Sequence, residues 1–416
     1  MINLRLFFAL ILLSCCGRDS EAQPDLFQLT KAEWTEDIRY LQKQWTKEHA
    51  NLFHTMQPTQ FQKTMNDLLE KLDKLTANEI MVELVKIGAM VKDGHTDVQP
   101  VSLRYSPRFA SFQGSIYITS APQEFSHLVG GRVLKVEGMP IDEVTKRLIP
   151  LVDGDNEMEV PRKVPDFLAM ASVLQGLHIV KSIDAATFTI LTDQNVEVEA
   201  MLKPSTSNTQ EKRVTLLGKA NVPLPLYMQN VQRNYWYSYL KDSKTIYFQY
   251  NSCNDQKKGE KSISAFADEL FSMVDKNQID YFIVDLRHNP GGNFLKSKPL
   301  VEGIKSRSSI NQKGKLYVLT SRNTGSAATV TGAQLKTSTQ AILVGELSRA
   351  NPNFTYNAET FTLPNSKLVV GYTESFHNPF PQLGKSLAVD IPVEITFEQF
   401  RQGKDPLLEM FLKVAK

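Results

Sequence analysis

The sequence predicts an α/β protein built from a helical N-terminal region, a small β-rich module and a domain in which strands alternate with helices. Three observations support this prediction. Apolar residues keep a helical spacing before residue 100, short alternating runs follow up to about residue 204, and apolar runs alternate with amphipathic segments from about residue 244 onward. A chain of 416 residues is also too long for one compact core, so several domains are expected.

The composition excludes several functional classes. The chain is 42% hydrophobic and 22% charged, as expected for an ordinary globular protein. A net charge of +2 gives no general attraction for nucleic acid, so no nucleic-acid partner is expected. The seven histidines are scattered, and neither HExxH nor CxxC occurs. We therefore predict neither a metal site nor a cofactor.

Residues 1–22 have the features of an export leader. Leu6–Leu13 is an apolar run that is too short to span a bilayer and follows a positive charge, as in a signal peptide. The stretch Leu12–Cys15 resembles a bacterial lipobox, which implies a lipidated Cys15 and attachment to a membrane. The alternative is ordinary cleavage after Ala22. Both alternatives predict export, either to the periplasm or to the surface of a bacterial membrane.

Residues 25–100 form the predicted helical N-terminal region. Thr76 and Glu79 have the spacing of a capping box, and the helix that they begin is expected to end at Gly94. His95 directly follows that helix end in the sequence. One preceding helix is marked by apolar residues at helical spacing: Phe61, Met65, Leu68, Leu69 and Leu72.

Residues 101–204 form the predicted β-rich module, inserted between two parts of the main domain. Ser115–Thr119 and Thr187–Asp193 alternate as strands do, and Gly130–Leu148 is typical of a strand, a tight turn and an amphipathic helix. No cluster of catalytic residue types is visible in this segment.

Residues 205–416 form the predicted sheet domain. Alternation of strands with helices indicates a mostly parallel sheet with right-handed crossovers, and ligands bind beyond the carboxyl ends of such strands. This places the loops Arg287–Gly292 and Ser321–Ser326 at the same rim. The predicted strands are Thr245–Tyr250, Tyr281–Leu286, Leu316–Thr320 and Ala341–Gly345. Cys253 lies outside the leader and is expected to be a core thiol, so no disulfide framework is predicted.

The two rim loops carry groups suited to acyl transfer. Gly291 and Gly292 lack side chains, so their N–H groups can approach a substrate and form an oxyanion hole. Ser326 follows a strand and begins a helix, where its N–H and that of Ala327 lie at the positive end of the helix dipole. The alternative is an ordinary glycine turn and a serine N-cap, and the residues alone leave both interpretations open.

A series of motifs in one order resembles the tail-specific (C-terminal-processing) serine peptidase family, and most closely its exported bacterial branch. The motifs are Gly94-His95-Thr96, Asp285–Gly292, Thr324–Ala328, Val344–Glu346, Leu363–Leu368 and Asp390–Val393. The resemblance implies a crotonase-like ββα sheet domain for residues 205–416. It also implies that the module contains a degenerate PDZ-like domain around Gly130–Leu148.

The resemblance also implies roles for individual residues. Ser326 matches the family nucleophile, and Gly291 or Gly292 matches the oxyanion donor, with the Ala327 N–H as its companion. Asp285 and Arg287 match positions that we expect to support the loop by capping amides and pairing charge.

The general base departs from the family pattern. The lysine of the Ser–Lys members falls on Asn351, and asparagine cannot act as a base. A tricorn-like branch uses a histidine at the place of His95, which is therefore the expected base. Glu374 is the nearest late carboxylate that could orient it. His288 is a second candidate base, or else a solvent-exposed substitution.

Together these features predict an exported serine-type endopeptidase that hydrolyses peptide bonds through an acyl-enzyme on Ser326. Its partners would be peptides or unfolded proteins. The alternative is a non-catalytic relative that binds a peptide or an apolar ligand in the same cleft. Acyl-CoA chemistry is disfavoured because export separates the protein from coenzyme A.

Overall fold

The computed structural model describes residues 26–205, 212–353 and 358–412. The predicted leader of residues 1–22 and Cys15 lie outside these ranges. Within them, no helix combines the length and the hydropathy that a membrane-spanning segment requires.

The N-terminal region contains three helices: α1 Lys31–Glu48, α2 Pro58–Lys71 and α3 Ala77–Met90. The predicted capping box is confirmed, since the Thr76 side chain accepts from the N–H of Glu79 and the Glu79 side chain accepts from the N–H of Thr76. The prediction that α3 ends at Gly94 is wrong, because Lys92 takes the left-handed conformation with φ 59°. The loop from 91 to 94 then leads to His95.

The module forms a seven-stranded antiparallel sheet in the order β2-β3-β4-β6-β7, with β5 on β4 and β9 on β3. Because β9 lies in this sheet, the sheet continues beyond residue 204. The strands of this sheet are β2 Arg108–Phe112, β3 Ser115–Pro122, β4 Arg132–Val136, β5 Met139–Pro140, β6 Ala186–Leu191, β7 Glu197–Leu202 and β9 Arg213–Thr215. Two further strands, β1 Arg104–Tyr105 and β8 Pro204–Ser205, pair with each other in a separate sheet. The helices are α4 Ile141–Leu148, α5 Glu159–Leu168, α6 Ala171–Gly176 and α7 Leu216–Lys219.

The main domain contains a six-stranded sheet in the order β10-β11-β12-β13-β14-β17, parallel except for β10. A separate hairpin is formed by β15 and β16. The strands are β10 Tyr235–Leu240, β11 Thr245–Tyr250, β12 Tyr281–Asp285, β13 Leu316–Thr320, β14 Ile342–Gly345, β15 Ala358–Thr362, β16 Val369–Thr373 and β17 Ile391–Pro392. The helices are α8 Ile263–Lys276, α9 Lys298–Lys305, α10 Ser326–Ser338, α11 Phe397–Arg401 and α12 Pro406–Leu412.

Alternate residues of the central strands face the two sides of the main sheet. Phe282 and Val284 pack with α8, α9 and α10 on one face. Ile283 packs with Tyr227 and α12 on the other face. This alternation buries both faces, as expected for a sheet that is covered by helices on both sides. The predicted α/β architecture is confirmed.

The hairpin β15–β16 lies on the N-terminal helices rather than on the main sheet. The indole N–H of Trp45 donates to the Gly371 carbonyl over 3.1 Å. Asp37 accepts the N–H groups of Asn365 and Ser366, each at 2.8 Å. Residues near the two ends of the chain therefore share one core.

Candidate active site

Ser326 begins α10 in a conformation that is rare for a residue with a side chain. Its φ is +43°, and the N-cap position is taken by Gly325. Such a left-handed residue costs on the order of 1–3 kcal/mol, so the surrounding structure must hold it in place. Ala327 and Ala328 are buried behind it, whereas Ser326 is only half-buried. Ser326 is therefore the first residue of the helix and not its N-cap.

Gly291 lies directly against Ser326. A Cβ at Gly291 would stand 2.6 Å from the Ser326 Cβ and 3.1 Å from the Ala327 N, so only glycine fits. Its own N–H donates to the Asn289 Oδ1 over 3.0 Å. Asn289 also accepts the Gly325 N–H on its carbonyl at 3.0 Å and thereby joins the two rim loops. This role of Asn289 is not predicted from the sequence.

Gly292 is the other glycine for which the sequence left the donor role open. Neither Gly292 nor Ala327 donates its N–H to an acceptor within the described ranges, and an N–H in the first turn of a helix has no intrahelical partner. Since the Gly291 N–H already donates to Asn289, the N–H groups of Gly292 and Ala327 are the candidate donors for a substrate oxygen.

Cys253 fixes the glycine loop from behind. Its N–H donates to the Gly291 carbonyl over 2.8 Å, and its carbonyl accepts from the Asn293 N–H over 3.0 Å. The thiol is buried against Asn289 and Thr331, and burial raises its pKa to about 11. Cys253 is therefore a core thiol in this structure.

Asp285 and Arg287 pair with each other where β12 leads into the glycine loop. Asp285 accepts the Arg287 N–H at 2.9 Å and pairs with its guanidinium at 2.6 Å. Arg287 also makes a two-bond contact with Asp405, 2.8 Å for each bond, and lies over the Tyr227 ring. Burial acts to raise the pKa of Asp285, but Arg287 and the hydrogen bonds hold it below its ordinary value. The contact with Asp405 was not predicted.

His95 stands beside a buried carboxylate. Asp93 accepts the His95 backbone N–H at 2.9 Å, and its Oδ1 lies 3.9 Å from the His95 Nδ1. Burial lowers the pKa of His95, Arg349 and Lys163 lower it further, and Asp93 and Glu159 oppose them. The net decrease keeps the imidazole neutral near neutral pH, as a general base requires.

Asp93 is held as an anion by several neighbours. Burial acts to raise its pKa, but His49 and His95 hold it well below the usual range. The Thr96 hydroxyl donates to it over 3.0 Å. Glu374, by contrast, is exposed after β16. Asp93 is thus a carboxylate that lies 3.9 Å from a ring nitrogen of His95.

Asp155 of the module links the His95 loop to the loop after β14. It accepts the Gly94 N–H at 2.9 Å and the Asn351 N–H at 2.8 Å. Burial, followed by the charge of Asp93, raises the pKa of Asp155 to about 7. The module therefore contributes Asp155 to the arrangement of the His95 loop.

Asn351 and His288 occupy structural positions. The Asn351 Oδ1 accepts the Asn353 N–H over 2.9 Å and so closes a turn at the position of the dyad lysine. His288 stacks on Tyr227 at 5.6 Å, on the sheet face opposite to α10. It is half-buried rather than solvent-exposed, and burial lowers its pKa. The loop of His95 is instead tied through Asp155 to the loop after β14, whose Arg349 lies against Gly325.

The described residues contain no group of three or more His, Cys, Asp or Glu side chains arranged to hold a metal ion.

The model of peptidase family S41 matches residues 244–377. Residues 244–377 therefore resemble a peptidase family S41 domain. Gly291, Gly292 and Ser326 lie inside the matched segment, and the resemblance to the tail-specific peptidases is confirmed at the level of the family. The match assigns this domain to the serine peptidases as a class. His95, Asp155 and Glu159 lie outside the matched segment.

Solved structures also match this chain outside the segment that resembles family S41. Mature CPAF complexed with lactacystin matches with a TM-score of 0.62 and 14% identity, over 93% of this chain and 98% of that one. The tricorn protease matches with a TM-score of 0.42 and 12% identity, over 92% of this chain and 37% of that one. The photosystem II D1 C-terminal processing protease matches with a TM-score of 0.39 and 11% identity, over 91% and 98%. The likeness to CPAF shows a common fold over nearly the whole chain. The comparison with curated proteins gives no match.

Proposed function

We propose that this protein is a serine endopeptidase that hydrolyses peptide bonds through an acyl-enzyme on Ser326. The observation that carries the proposal is the geometry of that serine. Ser326 is held at φ +43° at the start of α10, half-buried, with Gly291 so close that a Cβ would stand 2.6 Å from its own. A serine that only capped a helix would need neither the strained conformation nor the glycine contact.

Acylation begins when the Ser326 Oγ attacks the carbonyl carbon of a peptide bond while His95 takes the hydroxyl proton. The negative oxygen of the tetrahedral intermediate accepts hydrogen bonds from the Gly292 and Ala327 N–H groups. His95 then returns the proton to the leaving amine as the C–N bond breaks, which leaves an ester on Ser326. Water, deprotonated by His95, hydrolyses the ester and restores the serine.

The neutral state of His95 near pH 7 supports its role as base. The distance of 3.9 Å between Asp93 Oδ1 and His95 Nδ1 is too long for a hydrogen bond. Such contacts often tighten only when substrate is bound. Asp93, rather than Glu374, is therefore the group that we assign to orienting the imidazole.

Fluorophosphonate labelling of the purified mature protein tests this function. Labelling should be lost in Ser326→Ala and in His95→Ala, and the same variants should fail to cleave an unfolded protein such as casein. Ser338→Ala, at the far end of α10, and His127→Ala, on the exposed side of the module, are matched controls that should label normally.

The outcomes separate the alternatives. Labelling that persists in His95→Ala would place the base elsewhere. A wild-type protein that neither labels nor cleaves would favour the non-catalytic interpretation, in which the cleft binds a peptide or an apolar ligand.

The protein is also proposed to act after export, anchored through a lipidated Cys15. The support is the lipobox-like stretch at the end of the apolar run. Expression in a bacterium fed labelled palmitate should give a labelled protein in the membrane fraction, and Cys15→Ala should abolish the label. A mature N-terminus at Gln23 in the wild type would instead establish ordinary cleavage after Ala22.

A further inference from the structure

Arg349 packs onto the turn that presents Ser326. A Cβ at Gly325 would stand 2.5 Å from the Arg349 Cζ and Nη2 and 2.6 Å from its Nε. Three guanidinium atoms at nearly equal distance mean that the plane of the group lies over Gly325. The Arg349 backbone N–H also donates to the Thr324 carbonyl over 3.1 Å. Arg349 thus contacts both residues that precede Ser326.

The same side chain reaches the second rim loop. The Arg349 Nη2 donates to the Pro290 carbonyl over 3.3 Å, directly before Gly291. One guanidinium therefore contacts both loops that supply the proposed oxyanion donors. Because donors must lie within a few tenths of an ångström of their reactive positions, a group that fixes the spacing of two such loops affects the rate.

Glu159 of the module holds the guanidinium in this position. The Arg349 Nη1 donates to the Glu159 Oε1 over 3.1 Å, and Glu159 is almost completely buried at the start of α5. Arg162 also pairs with Glu159, but it belongs to the same helix. Burial acts to raise the pKa of Glu159, but Lys163, Arg349 and Arg162 together hold it below its ordinary value. Glu159 is therefore an anion that offers the Arg349 guanidinium a fixed partner.

We infer that Arg349 is a positioning residue for the proposed peptidase reaction and that Glu159 anchors it, so that the inserted module holds the two loops of the oxyanion hole in register. This inference rests on the proposed function. It gives the module a direct part in the reactivity of Ser326, through a contact between residues 190 positions apart in the chain.

The two partners act on His95 in opposite directions. The positive charge of Arg349 lowers the pKa of His95, and the negative charge of Glu159 raises it. Asp93 and Lys163 also face His95 and remain in place in the variants considered. Only neutral His95 can act as a base, so the labelling rate should decrease at low pH, where His95 becomes protonated. Without Arg349, this acidic limb of the pH–rate profile should move to higher pH. Without Glu159 it should fall to lower pH.

The test measures the rate of fluorophosphonate labelling against pH in full-length variants. Arg349→Lys keeps the positive charge but loses the planar guanidinium that contacts both loops. The labelling rate at its pH plateau should therefore fall by at least about tenfold, while the acidic limb stays at the same pH. Arg349→Gln should slow labelling as much and move the limb to higher pH. Glu159→Gln should slow labelling and move the limb to lower pH. Arg162→Gln, which removes a cation from Glu159 without touching either loop, should label at the wild-type rate.

A second measurement does not depend on catalysis. Hydrogen–deuterium exchange of peptides covering residues 286–293 and 321–328 should increase in Arg349→Gln and Glu159→Gln, and not in Arg162→Gln. The double variant Glu159→Gln with Arg349→Gln removes the buried charge of Glu159 together with that of its half-buried partner, so it should fold even if a single variant does not, and it should show the same increase. Unchanged exchange in these variants, or labelling rates within twofold of the wild type, would overturn the inference. If the wild type does not label at all, the peptidase proposal fails, and exchange alone decides whether Arg349 holds the loops.

Discussion

At the scale of single residues, the approach of Gly291 to Ser326 leaves no room for a β-carbon. Gly291→Ala would place its Cβ 2.6 Å from the Ser326 Cβ and 3.1 Å from the Ala327 N, at a φ of +124°. We expect labelling and hydrolysis to fall by about a hundredfold or more, because the shift would displace the nucleophile and its companion donor. Labelling rates and thermal unfolding of the same samples would measure the effect.

Gly314→Ala is the matched control for Gly291→Ala. Gly314 also has a positive φ, +84°, but a Cβ there would meet nothing within 4 Å. It should share the backbone strain, on the order of 1 kcal/mol of unfolding free energy, and keep full activity. Equal activity loss in both variants would show that strain alone, and not the contact with Ser326, explains the result.

At the scale of elements, the sequence predicts what depends on local pattern. Neighbouring residues suffice to predict the strands β12 and β13, the glycine turn after β12 and the helix that begins at Ser326. The contacts of Asp155 and Glu159 are not, because they join residues 61 to 196 positions apart. No periodicity encodes which side chain of a module will face a distant loop.

The linkage made by Asp155 predicts a specific dependence of stability on pH. Its pKa is raised from an ordinary carboxyl value to about 7 in the folded protein. Between about pH 4 and 7 the folded state therefore holds a proton that the unfolded state has released. In this window the contribution of Asp155 to unfolding free energy falls as pH rises, by at most about 1.4 kcal/mol per pH unit.

Asp155→Asn removes this titration. The asparagine amide nitrogen cannot accept a hydrogen bond, so one of the N–H groups of Gly94 and Asn351 would lose its acceptor. The unfolding free energy of the variant should therefore be lower than that of the wild type at pH 4, and this difference should shrink toward pH 7. Urea unfolding at several pH values would measure this difference.

Asp390→Asn is a control whose pH dependence has the opposite sign, because backbone and Lys336 contacts hold the pKa of Asp390 below its ordinary value despite partial burial. Its deficit should be present near pH 7 and disappear as pH falls below 4. A deficit for Asp155→Asn that grows with pH would contradict the linkage.

At the scale of the whole molecule, the N-terminal helices and the end of the main domain form one core. Asp37 is fully buried and accepts two backbone N–H groups from the turn of the hairpin β15–β16, at Asn365 and Ser366. The hairpin in turn provides the carbonyl that Trp45 contacts. The region before His95 therefore cannot unfold without exposing part of the main domain, and the position of His95 depends on residues far along the chain.

Asp37→Ala tests this cooperativity. Two buried N–H groups would lose their acceptor, so the unfolding free energy should fall by about 2–5 kcal/mol. Because the core is shared, tryptophan fluorescence, which reports Trp34 and Trp45 as well as Trp236, should still change in one transition that coincides with loss of helical circular dichroism. Asp73→Ala removes an exposed ion pair with Lys31 in the same region and should cost less than about 1 kcal/mol. If Asp37→Ala instead produced an early, separate transition, the N-terminal region would be an independent unit, and His95 would be placed by docking rather than by a common core.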